Sequence, residues 1–250
     1  MYYCDFIYEF EEIIYKVIQE SFPRYWREDS ITDSLLKELE KRFYSFELEG
    51  GGHILKIEWE TYKATGNLET KLGDILVIVR YQDKENSNNL IGVSSLEAKK
   101  RYDRVDTFEA IKFEQLKKIT DNLPLSKLLL YDYERINNFY IPFGVKTNMV
   151  TLPSSICTAL KKKNLSLYNF CLPISLQFAT RYFNALDLDF NQNVIDSVYE
   201  YINDKNQEGS FQYILTLHIS KNGDSFKGDT MSDIFNIPLE KYKKIIDIVK

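Results

Sequence analysis

The sequence predicts an α/β fold: a mixed central sheet flanked by helices, with a helical C-terminal elaboration. Three observations predict it. Ile75-Leu76-Val77-Ile78-Val79 is an unbroken apolar run rich in β-branched residues, as in a strand buried on both faces. Residues 54–59 alternate, with Ile54, Lys56 and Glu58 on one side and Leu55, Ile57 and Trp59 on the other. A segment of helical period then separates two apolar strands, which requires a crossover connection.

Taken in order, residues 6–22 place Phe6, Phe10, Ile13, Ile14, Val17 and Ile18 at helical spacing. Asp29-Ser30 supplies capping residues for a second helix over about 31–44, whose face is Leu35, Leu36, Leu39 and Phe43. Glu49-Gly50-Gly51-Gly52 ends that helix in a sharp turn before the strand at 54–59. The strand at 75–79, a polar turn at 83–89 and a strand at 90–99 read as a hairpin. Residues 106–120 return to helical period through Phe108, Ile111, Leu116 and Ile119, and 126–133 form the next strand. One more strand is expected within 140–150. Helices follow at 154–163, 168–183 and 194–203, a late strand at 211–219, a polar loop at 221–232, and a short terminal helix from about Pro238. No repeat or linker divides the 250 residues, so one domain is expected, with its core at about 31–151 and the elaboration at about 152–250.

Composition narrows the class. A chain with 44% hydrophobic and 28% charged residues, rich in Tyr and Phe and poor in Gly and Pro, builds a core. It contains no apolar stretch approaching the ~18 residues of a membrane span. The acidic start, MYYCDFIYEFEE, is unlike a secretory leader, so a cytoplasmic protein without membrane contact is expected. Cys4, Cys157 and Cys171 form no CxxC pair, and two histidines are too few for a His/Cys zinc site. The net charge is −5, yet residues 91–165 hold 13 Lys and Arg against 8 Asp and Glu. No GxxxxGK[ST], GxSxG or GxGxxG motif offers a rival chemistry.

The chemistry-bearing pattern is Gly73-Asp74 opening one strand and Glu97-Ala98-Lys99 closing the next. The (D/E)xK tripeptide says little alone; Glu69-Thr70-Lys71 is another. Strand alternation puts Glu97 and Lys99 on one face, and a hairpin brings Asp74 to the same corner. Paired carboxylates repel unless a cation neutralises them, and oxygen ligands favour Mg²⁺ or Mn²⁺. The dull alternatives are a Gly-Asp turn and a surface ion pair.

These residues resemble the PD-(D/E)XK phosphodiesterase superfamily, with its restriction-endonuclease-like fold. More narrowly, Glu69 to Asp74, Glu97-Ala98-Lys99-Lys100, Gln115-Leu116-Lys117-Lys118 and Leu128-Leu129-Leu130-Tyr131 look like a group of bacterial proteins found in restriction or phage-defence settings. The resemblance covers about 69–131, and more faintly 144–153. It implies a Mg²⁺-dependent endonuclease with Asp74 and Glu97 as metal ligands, Lys99 as the catalytic lysine and Gln115 near the scissile phosphate. A further ligand is implied from Glu40, Glu38 or Glu69. Two departures are visible: Glu97 stands where many members have Gln, and no Ala separates Gly73 from Asp74.

Lys100, Arg101, Arg104, Lys117 and Lys118 follow the motif and either hold backbone phosphates or form a solvated face. Lys161-Lys162-Lys163 ends an expected helix, where lysines favour the dipole. Trp26 and Trp59 read as packing residues, and His53 and His218 need no catalytic role. The implied partner is nucleic acid, DNA foremost, with a partner protein or second copy for targeting. The competing expectation is a catalytically inactive nuclease-like binding or scaffolding subunit of a defence complex.

Overall fold

Two helices open the chain in the computed structural model, which describes residues 1–50, 52–65, 71–83, 88–108, 111–137, 145–203, 211–221 and 230–246. Helix α1 (Tyr3–Ser21) buries Phe6, Phe10, Ile14, Val17 and Ile18, the stripe its periodicity predicts. Helix α2 (Glu28–Phe43) begins three residues earlier than expected, with Glu28 and Asp29 in its first turn, where acids favour the positive end of the dipole.

Strands β1 (Ser45–Gly50) and β2 (His53–Ala64) pair antiparallel, as do β3 (Ile75–Asp83) and β4 (Asn88–Lys100). The second pair is the expected hairpin; β1 was not expected. Helix α3 (Phe113–Asn122) carries the chain across to β5 (Lys127–Ile136), which runs parallel to β4. Strand β6 (Thr147–Pro153) returns antiparallel and leads into α4 (Ser154–Leu160).

The long helix expected at 168–183 is broken. A 3₁₀ turn (Leu165–Phe170) precedes a two-residue strand β7 (Leu172–Pro173) on β6. A short α5 (Ile174–Leu176), a π turn (Gln177–Arg181) and another 3₁₀ turn follow. Pro173 explains the break, because it donates no hydrogen bond and holds the residue before it in an extended conformation. Helix α6 (Gln192–Asn203) forms as expected.

Strand β8 (Tyr213–Lys221) inserts between β2 and β3, antiparallel to the first and parallel to the second. A one-turn α7 (Met231–Ile234) follows, and the expected terminal helix is instead β9 (Tyr242–Lys244), which pairs with β2 beyond the end of β1. The result is a nine-stranded mixed sheet of order β1-β2-β8-β3-β4-β5-β6-β7, with β9 on β2.

Alternation divides the core between the two faces. Ile75, Val77 and Val79 of β3 pack with Phe10, Leu35 and Phe43 beneath α1 and α2. Leu76 and Ile78 face the opposite way, toward Ile195 and Val198 of α6. Leu128 and Leu130 of β5 meet Leu116 and Ile119 of α3. Trp59 is fully buried and Trp26 nearly so, as packing residues should be. No helix among the described residues is long and apolar enough to cross a membrane.

Candidate active site

The hairpin register sets the site. Ile75 pairs with Leu96, so Asp74 stands opposite Glu97 at the ends of β3 and β4. Gly73 turns the chain into β3 with φ +113°, a conformation that L side chains rarely adopt. Asp74 is then fixed by its main chain: its N–H donates to Leu96 O (2.9 Å) and its carbonyl accepts from Tyr213 N–H (3.0 Å). Its Oδ2 accepts from Ala98 N–H (2.8 Å), which aims the carboxylate at the Glu97–Lys99 segment.

Glu97 and Lys99 project from the same face of β4, opposite to Ala98. Glu97 is 3% exposed. Its Oε1 accepts from Lys99 Nζ (2.7 Å) and from Gln115 Nε2 of α3 (3.2 Å). Its Oε2 is buried and has no hydrogen-bond partner among the described residues. Lys99 Nζ also donates to Ala98 O (2.8 Å).

A further acid, Glu28, arrives from α2. Its Oε1 accepts from Lys100 N–H (3.0 Å) and its Oε2 lies 3.7 Å from Lys99 Nζ. Thr32 holds this turn of helix in place: its hydroxyl donates to Glu28 O (2.7 Å), which leaves it to accept from the buried Tyr131 hydroxyl of β5 (2.7 Å). Sequence reasoning sought a helix-borne acid at Glu38 or Glu40 and missed Glu28. The available signal was the acidic Glu28-Asp29-Ser30 helix start.

Burial, then the neighbouring Asp74 charge, pushes the Glu97 carboxyl up to about 7, against the opposing pull of Lys99. For Lys99, burial acts to lower the pKa, but Glu97, Glu28 and Asp74 outweigh it and hold the amine above its ordinary value. Lys99 is therefore a protonated cation at neutral pH. The cluster opens to solvent through Glu28 and Gln115, which are partly exposed.

Other candidates lie elsewhere. Glu40 is buried against β2, where its Oε2 accepts from Thr61 N–H (2.8 Å). Burial, with a contribution from Glu60, pushes its carboxyl up to about 8. Glu38 is engaged by Lys16 and Lys41 on the helix surface. Glu69 lies outside the described residues. Arg101 is 6% exposed and turned inward, paired with Asp132 (3.1 Å), Glu134 (2.7 Å) and Asp106 (2.9 Å), so its expected phosphate contact gives way to a structural role. Lys100 Nζ lies 5.6 Å over the Tyr102 ring. Arg104 is exposed, and Lys117 and Lys118 project from the outer face of α3. His218 is buried and its imidazole is pushed down to about 3, chiefly by burial, so it stays neutral.

Among the described residues no group of three or more His, Cys, Asp and Glu side chains is arranged to hold a metal ion. A cation at this corner would draw on mixed oxygen donors, namely the Asp74 and Glu97 carboxylates and the Ala98 carbonyl. The partnerless Glu97 Oε2 fits that use, because a buried carboxylate oxygen without a donor is costly. No family model matches the chain, and neither a curated protein nor a solved structure matches it.

Proposed function

We propose that this protein is a divalent-cation-dependent nuclease that hydrolyses phosphodiester bonds of nucleic acid, DNA foremost, on a restriction-endonuclease-like fold in a restriction or phage-defence setting. The observation that carries this is the convergence of Asp74, Glu97 and Lys99, with Gln115, at the ends of two paired strands. Supporting it further are the β3–β4 hairpin, α3 and a β5 parallel to β4, whose order parallels the resemblance around residues 69–131. Strand β8 lies between β2 and β3 in the sheet.

Asp74 and Glu97 would hold the cation, with Mg²⁺ or Mn²⁺ suited to an all-oxygen set. When bound, such an ion polarises the phosphodiester and makes water a better nucleophile. Lys99, lying against the Glu97 and Glu28 carboxylates, stabilises negative charge developing on the phosphate oxygens and orients the attacking water. Gln115 holds the Glu97 carboxylate through Oε1, which leaves Oε2 without a hydrogen-bond partner among the described residues. Glu28 steadies Lys99 and the Lys100 main chain.

The test is cleavage of plasmid and single-stranded substrates with Mg²⁺, Mn²⁺ or EDTA. Cutting by the wild type with either metal, its loss in EDTA, and a fall of about 10²-fold or more in Asp74→Asn, Glu97→Gln and Lys99→Ala is expected. Metal-dependent cutting that survives these substitutions excludes this site. Binding without cutting supports an inactive scaffold instead.

A further inference from the structure

Charge is segregated along this chain. From position 135 to 186 there is no Asp or Glu in 52 consecutive residues, while Arg135, Lys146, Lys161, Lys162, Lys163 and Arg181 supply six positive charges. The rest of the chain holds 26 cations against 37 acids. Much of this acid-free stretch builds the β6–β7 edge of the sheet and the helical turns beside it.

Three of the six cations have local roles. Arg181 pairs with Asp187 (2.8 Å), Arg135 lies 4.1 Å over the Tyr15 ring, and Lys146 borders a cavity of about 410 Å³ with Glu11 and Glu12. Lys161, Lys162 and Lys163 are exposed, and none is ion-paired with a carboxylate among the described residues. A helix-dipole account does not cover them. Helix α4 has seven residues, Lys161 is already its left-handed cap, and Lys162 and Lys163 lie beyond it.

Their position points toward the site. Lys163 O accepts from Phe108 N–H (2.8 Å), and Asn164 bridges to Thr107. Lys163 Nζ sits 5.1 Å over the ring of Phe113, the first residue of α3. Lys112, exposed, precedes it, and two residues further along Gln115 touches Glu97. The outer face of α3 mixes Glu114, Lys117, Lys118 and Asp121 and is neutral, so the excess positive charge resides at Lys112 and Lys161–Lys163. Asp106, an acid beside this run, is already paired with Arg101.

We propose that Lys161, Lys162, Lys163 and Lys112 seat the phosphodiester backbone of a nucleic acid and lead it across the start of α3 to Glu97. This rests on the nuclease reading of the Asp74–Glu97–Lys99 corner. Unpaired cations attract a polyanion by releasing its condensed counterions, so binding through them is steeply salt-dependent.

The test is fluorescence anisotropy in EDTA with labelled duplex DNA, single-stranded DNA and RNA of one sequence, across a salt series. Lys161→Gln/Lys162→Gln/Lys163→Gln is expected to weaken binding about tenfold or more. The slope of log K against log salt should become shallower by about one for each lysine that had met a phosphate. Lys16→Gln/Lys41→Gln, which removes cations already paired with Glu38, should leave both quantities near wild type. The three probes show which nucleic acid is held. Wild-type affinity in the triple variant, an equal loss in the control, or no wild-type binding to any probe overturns the track. Cleavage separates the two ideas: a triple variant that binds and cuts like wild type removes the track and leaves the nuclease standing. Lysine-dependent binding by a wild type that never cuts does the reverse.

Discussion

Arg101 brings a charge into a nearly closed corner and finds a partner for each of its nitrogens: Val105 O, Asp132, Glu134 and Asp106. Asp132 is itself buried and accepts a hydrogen bond from the Tyr168 hydroxyl. Removing one partner of such a network strands the other, so Arg101→Ala is expected to cost about 3–5 kcal/mol in denaturant titration. Arg101→Lys should recover little, because an ammonium cannot span the fork. Glu40 gives a pH prediction. Its carboxyl sits near 8 when folded against an ordinary value of 4.5, so the native state binds the proton more tightly. Its stabilising contribution is complete below pH 4.5 and is lost as pH rises through 8. Glu40→Gln can still accept from Thr61 N–H. Relative to wild type, its melting temperature should therefore rise with pH across that window; a constant offset would contradict the assignment. At this scale Asp74, Glu97, Lys99 and Gln115 were legible, because strand alternation and helix spacing fix their directions. Glu28 and Arg101 were not. Which acid meets Lys99 depends on how α2 is pinned through Thr32 to Tyr131, and an arginine in a basic run reads as exposed until Asp132 is found beneath it.

The elements that sequence reasoning recovered are those whose own periodicity decides them: α1, α2, the β3–β4 hairpin, β5 and α6, with α3 recovered only from Phe113 because Thr107 and Phe108 pair in β-bridges instead of opening the helix expected at 106. Those it missed depend on partners far along the chain. Strand β1 buries only Leu48 of its six residues, and pairing with β2 is what extends it. Strand β9 forms because β2 outruns β1 and leaves an open edge at Tyr62, Lys63 and Ala64. The expected helix at 168–183 yields at Pro173, where pairing with Val150 of β6 replaces helical bonding. The turn at Gly73 belongs to this scale, since it joins local conformation to strand register. A Cβ there would meet Leu96 O at 3.2 Å and Ser95 Cβ at 3.3 Å, on a backbone already at φ +113°. Gly73→Ala is expected to destabilise the protein by about 1–3 kcal/mol. On the proposed nuclease reading, cleavage should fall by more than the folded fraction does, because Asp74 is aimed by that turn. Equal losses in the two measurements would show that Gly73 serves stability alone.

For the molecule as a whole, β8 is the keystone of the sheet. It bonds to β2 on one side and β3 on the other, and Thr216 Oγ1 adds a hydrogen bond to Glu60 O (3.0 Å). Leu215, Leu217 and Ile219 face the α1–α2 core, while Ile214 faces α6. Leu215→Ala should cost about 2–5 kcal/mol by the cavity it opens. Deleting residues 204–250 should abolish the cooperative thermal transition and the near-ultraviolet dichroism; a truncated chain that melts sharply would show that the sheet tolerates losing its middle. The sequence announced a late strand at 211–219 but not its place, since alternation reveals which faces are buried and not which neighbours are met.

That place has a consequence for synthesis in the cell. The ribosome makes β2 and β3 long before the strand that joins them, so both wait with open edges until residues 213–221 emerge. Tyr213 also supplies the amide that holds the Asp74 carbonyl. A nascent copy therefore lacks the finished corner of Asp74, Glu97 and Lys99 until residues 213–221 have been made, and the order of translation alone sets when the candidate site is complete.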